Sequence, residues 1–189
     1  MKLLDYIDQE VFDKKVVIFT SYTETASYLH EILEKYFDCK ICGFYKNLPI
    51  KKLDSAINDF QQKDEVKILI CDYTAGEGRN LQMADCIIHY DLPISPSEIE
   101  QRIGRLDRIG RDEQKVVLNV VVYSQDTFEE EFLRIWDEAF HLFNESLSGL
   151  EIALEEFDEL IEDYLFNYEC RLFKDVLTDF QSKTIELNK

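Results

Sequence analysis

None of the six glycines of this 189-residue chain (Gly43, Gly76, Gly78, Gly104, Gly110, Gly149) is followed by lysine. The phosphate-cradling loop G-x-x-x-x-G-K-[ST] is therefore missing from these residues, and with it the usual means of holding a nucleoside triphosphate unaided. Basic residues are scarce too, 21 against 39 acids, for a net charge of -18. Affinity for a polyanion comes mainly from basic groups displacing counterions, so any nucleic-acid contact must be local, not spread over the surface. No apolar run approaches the ~20 residues that span a bilayer, and MKLLDYIDQE lacks the apolar core of a secretory signal. The expectation is a cytoplasmic protein with no membrane association. The five cysteines (Cys39, Cys42, Cys71, Cys86, Cys170) are an odd set, four of them inside apolar segments where free thiols behave as small hydrophobes. Cys39-x-x-Cys42 has no second ligand pair, which favours buried thiols over a zinc or redox site, and no metal ligands are assigned.

What is present is an alternation of strand-like and helix-like segments, the pattern of an α/β parallel sheet. Val16 to Thr20 reads as a buried strand, followed by a capping box at Ser21 and Glu24 and a helix with Ala26, Leu29, Leu33 and Tyr36 on its inner face. Cys39 to Phe44 is a second short strand. Pro49 opens a helix carrying Leu53, Ile57 and Phe60, and Val66 to Cys71 and Cys86 to Tyr90 are further strands. Val116 to Tyr123 is the longest and most β-branched run, which predicts a central strand covered on both faces. Charge divides the chain near Ser124: residues 1 to 124 hold 21 acids and 16 bases, residues 125 to 189 hold 18 and 5. The expected organisation is a lead-in or linker over 1–13, an α/β lobe over 14–124 and an acidic helical extension over 125–189. Within that extension Leu150, Leu154, Phe157, Ile161, Tyr164, Tyr168, Leu172 and Val176 form an amphipathic seam. It could pack on the lobe, fold as a hairpin or await a partner.

The segment from Glu100 to Arg111, EQRIGRLDRIGR, carries the chemistry. Ser95, Pro96 and Glu98 predict a helix start near Pro96, and Ile99, Ile103 and Leu106 form an apolar stripe opposite Gln101 and Arg105. Gln101, Arg105 and Arg108 then share one face, and two converging guanidinium groups suit a transferring phosphoryl group, although a solvated basic face has the same spacing. Gly104, mid-helix, asks for a close-packing reason. In Asp72 to Gln82, DYTAGEGRNLQ, Gly76 and Gly78 permit close backbone approach, so exposed amides could bind phosphate oxygens; a tight turn with no ligand is the plainer alternative. His89, inside a buried strand, reads as a packed residue more readily than as a base.

The pattern Q-x-x-G-R-x-x-R resembles motif VI of helicase-type ATPases, and QRIGRLDRIG is similar to the Swi/Snf-type members of superfamily 2, in particular the bacterial RapA/HepA group. KVVIFTSYTETASYL resembles motif IV, DYTAGEGRNLQ motif V and DCIIHYDLP the strand between V and VI. Motif V departs from the family pattern near Cys71-Asp72 and near Ala75. The resemblance covers roughly residues 14 to 165 and implies the second RecA-like lobe of a two-lobed motor, with an acidic helical appendage. It implies Arg105 and Arg108 as arginine fingers, Gln101, Gly78 and Asn80 near the nucleotide, and Thr20, Ser21, Thr74 and Gly76 near a nucleic-acid backbone. Arg79, Arg102 and Arg111 are either nucleic-acid contacts or surface charges. The string Asp137 to His141 mimics the acidic metal box of such motors but sits in a helical pattern, and is discounted. ATP and Mg2+ would be bound mainly by an N-terminal P-loop lobe outside this chain, leaving the chain inactive by itself. Implied partners are that lobe, nucleic acid (duplex DNA by the Swi/Snf likeness), and RNA polymerase or another nucleoprotein complex. The competing reading is a non-catalytic interaction module docking through its acidic arm.

Overall fold

Val16–Phe19, buried along its whole length, forms β1 at the centre of a five-stranded sheet. The computed structural model describes residues 3–11, 13–76, 80–106 and 116–143. They fall into two compact units: Met1–Leu92 with Gln101–Tyr123, and Pro93–Glu100 with Ser124–Lys189.

In the first unit β1 is followed by α2 (Thr23–Tyr36), β2 (Lys40–Phe44), α3 (Ile50–Gln62), β3 (Val66–Cys71) and β4 (Cys86–His89), and a short helix α1 (Leu3–Tyr6) precedes it. The last strand is β5 (Leu118–Val121), and α4 (Pro96–Gly104) begins in the second unit and ends in the first. The strand order is β2-β3-β1-β4-β5 with every pair parallel. Alternate side chains of β1 serve opposite faces of the sheet, as strand geometry requires. Val17 and Phe19 pack with Ala56, Ile57 and Phe60 of α3, together with Leu81 and Leu106. Val16 and Ile18 pack with Ala26, Leu29 and Leu33 of α2. Residues 7–11, expected as lead-in, form a π-helical turn whose Ile7 and Val11 are buried in that second cluster.

Lys15 ties the layers together. Its Nζ donates to the carbonyls of Phe60 and, at 3.0 Å, Lys63, supplying carbonyls at the C-terminal end of α3 with a donor, and it lies 5.2 Å over the Phe60 ring. At Gly43 a Cβ would stand 2.5 Å from the Tyr45 ring and 2.8 Å from His30 Nδ1, so only glycine fits there.

Four expectations are corrected. Val116 to Tyr123 does not form the central strand: β5 is four residues long and the outermost strand on its side among the described residues, with Val116 86% exposed. The capping box at Ser21 does not form; Tyr22 holds the N-cap of α2 without a side-chain bond, because the Ser21 hydroxyl is used by Asp91. Helix α4 stops at Gly104, so Arg105 lies in the turn after it: the Arg105 amide bonds back to the Arg102 carbonyl at 3.3 Å and that of Leu106 to Ile103 at 2.9 Å, a tightened final turn. Gly104 is thus terminal, not mid-helical, and a Cβ there would meet nothing within 4 Å among the described residues.

In the second unit α5 (Phe128–Arg134) starts at Thr127 and continues as a π-helical turn over Ile135–Ala139. Phe132, Trp136 and Phe140 succeed one another at ring-centroid distances of 6.0 and 5.4 Å, and all three are buried. The acidic seam from Leu150 to Val176 lies outside the described residues.

Candidate functional site

In a parallel sheet the loops at the carboxyl ends of the strands are where ligands collect. Here a fully buried carboxylate, Asp72 just beyond β3, organises three such loops. Its Oδ2 accepts from the Thr23 hydroxyl at 2.6 Å and the Lys46 amide at 3.0 Å; its Oδ1 accepts from the Thr74 amide at 2.9 Å and hydroxyl at 2.5 Å. The loops after β1, β2 and β3 are thereby pinned to one side chain. Sequence reading passed over Asp72 as part of a glycine-containing loop; a lone acid directly after an apolar strand was the available signal.

A second carboxylate, Asp91 just beyond β4, does the same for the end of β1. Its Oδ1 accepts from the Ser21 amide and hydroxyl, each at 2.8 Å, and its Oδ2 from the Thr20 hydroxyl. Arg102 completes this cluster. It is neither a surface charge nor an exposed contact: at 5% exposure it donates from Nη1 to the Asp91 carbonyl at 2.9 Å and from Nη2 to the Ser21 hydroxyl at 3.0 Å. Nη2 also lies 3.6 Å from the Asp91 carboxylate, and the guanidinium sits 5.6 Å over the Phe19 ring.

Beside these hubs opens a cleft of about 290 Å³ lined by Ser21, Tyr22, Thr23, Lys46, Asn47 and Tyr73, with Glu24 at one wall. Tyr22 and Tyr73 are 62% and 52% exposed, which leaves two aromatic faces, one ammonium and several hydroxyls on its walls. Of the residues expected near a nucleic-acid backbone, Ser21 lines this cleft. Thr20 is fully buried, with its hydroxyl given to Asp91, so it supports the site from beneath. Thr74 is half-buried and held by Asp72, and Gly76 ends a 3-10 turn over Tyr73–Gly76. Tyr22, Lys46 and Tyr73 went unnoticed in the sequence, because only the fold brings three loops together.

The residues expected around a nucleotide come together in part. The Arg105 carbonyl accepts from the Leu81 amide at 3.0 Å, which places the turn after α4 against the segment that carries Asn80. Asn80 is exposed; its side chain is folded onto Gln82, and its carbonyl accepts from Gln61 Nε2 at 2.8 Å. Gln101 is exposed on α4 and Arg105 half-buried. Arg108 and Gly78 lie outside the described residues, as do Arg79 and Arg111.

Other chemistries find little support. Cys39 and Cys42 pack into opposite faces of the sheet, so they do not converge on a metal or on each other, and burial raises the pKa of both. Burial likewise pushes Cys86 up to about 12. Among the described residues no three His, Cys, Asp or Glu side chains gather as a metal site. Asp137 and Glu138 are exposed on the π-helical turn after α5, not at a strand end. No helix among the described residues is long and apolar enough to cross a membrane.

His89 is fully buried in β4. Desolvation, reinforced by the Arg102 charge, lowers its pKa from 6.5 to about 3. The unfolded chain takes up a proton below pH 6.5 that the folded chain refuses until about 3. This contribution is whole above pH 6.5 and is lost as the pH falls, with a slope approaching ~1.4 kcal/mol per pH unit. His89→Gln is expected to flatten the unfolding free energy over that window in urea titrations; parallel profiles for the two proteins would contradict it.

The helicase conserved C-terminal domain model matches residues 1–110. A protein of Bacillus subtilis (strain 168) named "Uncharacterized ATP-dependent helicase YqhH" is 32% identical over 191 residues, covering 96% of this chain and 33% of that protein. "RNA polymerase-associated protein RapA" of Vibrio vulnificus (strain YJ016) is 35% identical over 152 residues, covering 79% of this chain and 15% of that protein. The chain thus spans a third or less of the length of either relative. Among solved structures, the Sulfolobus solfataricus SWI2/SNF2 ATPase core in complex with dsDNA superposes with a TM-score of 0.56 at 28% identity, over 74% of this chain and 28% of that one. The C-terminal part of the Fun30 ATPase domain gives 0.57 at 23% identity, over 85% and 49%, a likeness of fold.

Proposed function

From the premise that this chain belongs to the helicase conserved C-terminal domain family, in the neighbourhood of RapA and the Swi/Snf-type ATPases, we propose that it is the second RecA-like lobe of a nucleic-acid-dependent ATPase and translocase. One observation carries the reading. The bond from the Leu81 amide to the Arg105 carbonyl joins the end of motif V to the turn of motif VI, one helical turn after Gln101. On this reading the turn presents the Arg105 guanidinium and the Gln101 carboxamide to phosphate oxygens. The sequence carries no phosphate loop, and the described residues gather no metal site.

On this reading ATP lies between two lobes, and the absent P-loop lobe supplies the triphosphate cradle and the carboxylates for Mg2+. Bound Mg2+ would neutralise charge on the phosphates. Arg105, joined by Arg108, stabilises the charge that develops on the transferring group, and Gln101 and Asn80 orient the nucleotide, with the Gly78 backbone close to its phosphates. The cleft takes the nucleic-acid backbone, Ser21 and the Thr74–Gly76 turn lining the path and Thr20 buttressing it. Lys46 there provides the local positive charge that an otherwise acidic chain requires. Duplex DNA is the substrate this reading favours, since the Sulfolobus relative was solved on dsDNA. RNA polymerase or another nucleoprotein complex is the proposed assembly partner, by analogy with the name of RapA. A cytoplasmic site of action goes with both.

The test is ATP hydrolysis with and without duplex DNA, measured for the 189 residues alone and for the same chain joined to its P-loop lobe. No turnover by the chain alone and DNA-stimulated turnover by the joined protein are expected. Turnover by the chain alone would sink the shared-site reading. No stimulation in the joined protein would favour the interaction module instead.

A further inference from the structure

One buried carboxylate sets out three exposed side chains on the walls of the cleft. Asp72 Oδ2 accepts from the Thr23 hydroxyl at 2.6 Å and the Lys46 amide at 3.0 Å, and its Oδ1 from the Thr74 amide at 2.9 Å. Tyr22 precedes Thr23, and Tyr73 stands between Asp72 and Thr74, so the backbone beneath both rings and beneath the Lys46 ammonium is held by the same group. The Tyr22 amide donates in addition to the Thr20 hydroxyl at 3.2 Å. The two rings nevertheless stand in solvent. Tyrosines on a fixed backbone are prepared for contact, since each gives up only two side-chain torsions when it is covered. The charges of the lining balance: it carries one cation, Lys46, and one anion, Glu24. A channel for successive phosphates needs an excess of basic groups, whereas a nucleobase needs ring faces to stack on and hydrogen-bonding partners for its edge.

Resting on the motor reading above, we propose that the cleft takes one unstacked nucleobase, so that this lobe favours duplex DNA carrying an unpaired base over a fully paired duplex. The base lies against the Tyr22 and Tyr73 rings, its edge meets the Asn47 carboxamide and the Glu24 carboxylate, and the adjoining phosphate meets Lys46. The cleft volume of about 290 Å³ is at the lower end of the ~300–1,000 Å³ of small-molecule sites, which suits a single nucleoside unit. Glu24 separates the two kinds of occupant: a carboxylate repels a bare phosphate but accepts the amino and imino hydrogens of a base edge. In a paired duplex the bases are stacked inside and only sugar and phosphate reach the cleft. Taking a base out costs unstacking, least where the base is already unpaired. Stacking on an aromatic side chain then strengthens binding by about 5- to 150-fold per base, which is enough to tell the two substrates apart.

The experiment uses the full two-lobed protein and DNA duplexes of one length: fully paired, with a one-nucleotide adenine bulge, and with an abasic bulge that keeps the extra phosphate but lacks the base. Equilibrium affinity for each is measured at one salt concentration, together with DNA-stimulated ATP turnover. The adenine bulge is expected to bind about tenfold more tightly than the abasic one. Tyr22→Leu and Tyr73→Leu are each expected to cut that preference to about threefold or less while affinity for the paired duplex stays within about twofold, and Tyr22→Phe, which keeps the ring, to retain it. Both tyrosines are exposed, so the variants should fold, and matched thermal unfolding checks this. Equal affinity for the two bulges, or a loss in the leucine variants that is the same on every duplex, would overturn the inference and leave the motor reading intact. A natural protein that binds none of the duplexes and whose turnover none of them stimulates would overturn the motor reading and this inference with it.

Discussion

Arg105→Ala in the two-lobed protein is expected to lower DNA-stimulated ATP turnover by ~10³ or more while leaving affinity for an ATP analogue within a few-fold. The asymmetry follows from where charge develops. An arginine that meets the transferring group helps most when charge gathers on the equatorial oxygens, and helps little in the ground state, so kcat suffers and binding does not. Arg105 is anchored through its own backbone carbonyl to Leu81, which an alanine retains, so the turn should survive the loss of the side chain. Arg105→Lys tests the geometry: a point charge without the planar fork is expected to recover only part of the rate. Arg108→Ala is expected to act in the same way on the strength of the motif. The readouts are single-turnover hydrolysis and fluorescence titration of the analogue, at matched thermal unfolding. A rate within about threefold of the natural protein would remove Arg105 from the chemistry.

Asp72→Ala is expected to be the most damaging single change to the cleft proposed for nucleic acid. Two hydroxyls and two amides donate to this one buried carboxylate. Removing it leaves those donors to find water or stay unsatisfied, at roughly 1–3 kcal/mol each before relaxation, so a loss of about 3 kcal/mol is expected from urea unfolding. Function should fall further than stability alone explains, because the Thr23, Lys46 and Thr74 loops are held in register by that side chain and Thr23 and Lys46 line the cleft. At a temperature where the variant is still folded, DNA affinity should drop while analogue binding holds. Asp72→Asn keeps one acceptor oxygen but turns an NH2 toward existing donors, so an intermediate loss is expected. Unchanged stability and DNA affinity in Asp72→Ala would mean the loops hold their places without it.

The family signature was written in contiguous residues, and so it could be read without coordinates. Gln101, Gly104, Arg105 and Arg108 lie within one short stretch, and the strand–helix alternation is a matter of local periodicity. Arg102 was misjudged for an instructive reason. With Ile99 and Leu106 at spacings of three and four it sits on the stripe that α4 buries, and both neighbours are fully buried. Its charge argued for the surface, and its burial is made possible by acceptors at Asp91, 11 positions before it, and at Ser21, 81 positions before it. The central-strand expectation for Val116 to Tyr123 failed similarly, since β-branched composition reports a fit to a pleated surface and not a position in the strand order.

By itself, then, the sequence determined what depends on neighbours along the chain: the α/β alternation, helix α4 beginning at Pro96, the missing phosphate loop and the motif that marks the family. The tertiary structure alone decided what depends on residues far apart. It set the strand order, ended α4 at Gly104, buried Arg102 against Asp91 and Ser21, and gathered three loops on Asp72 to shape the cleft. The physical reason is that a hydrogen bond across 49 or 81 positions has no local trace. Periodicity records which side of an element faces the core, but not which distant acceptor waits there to satisfy a buried donor.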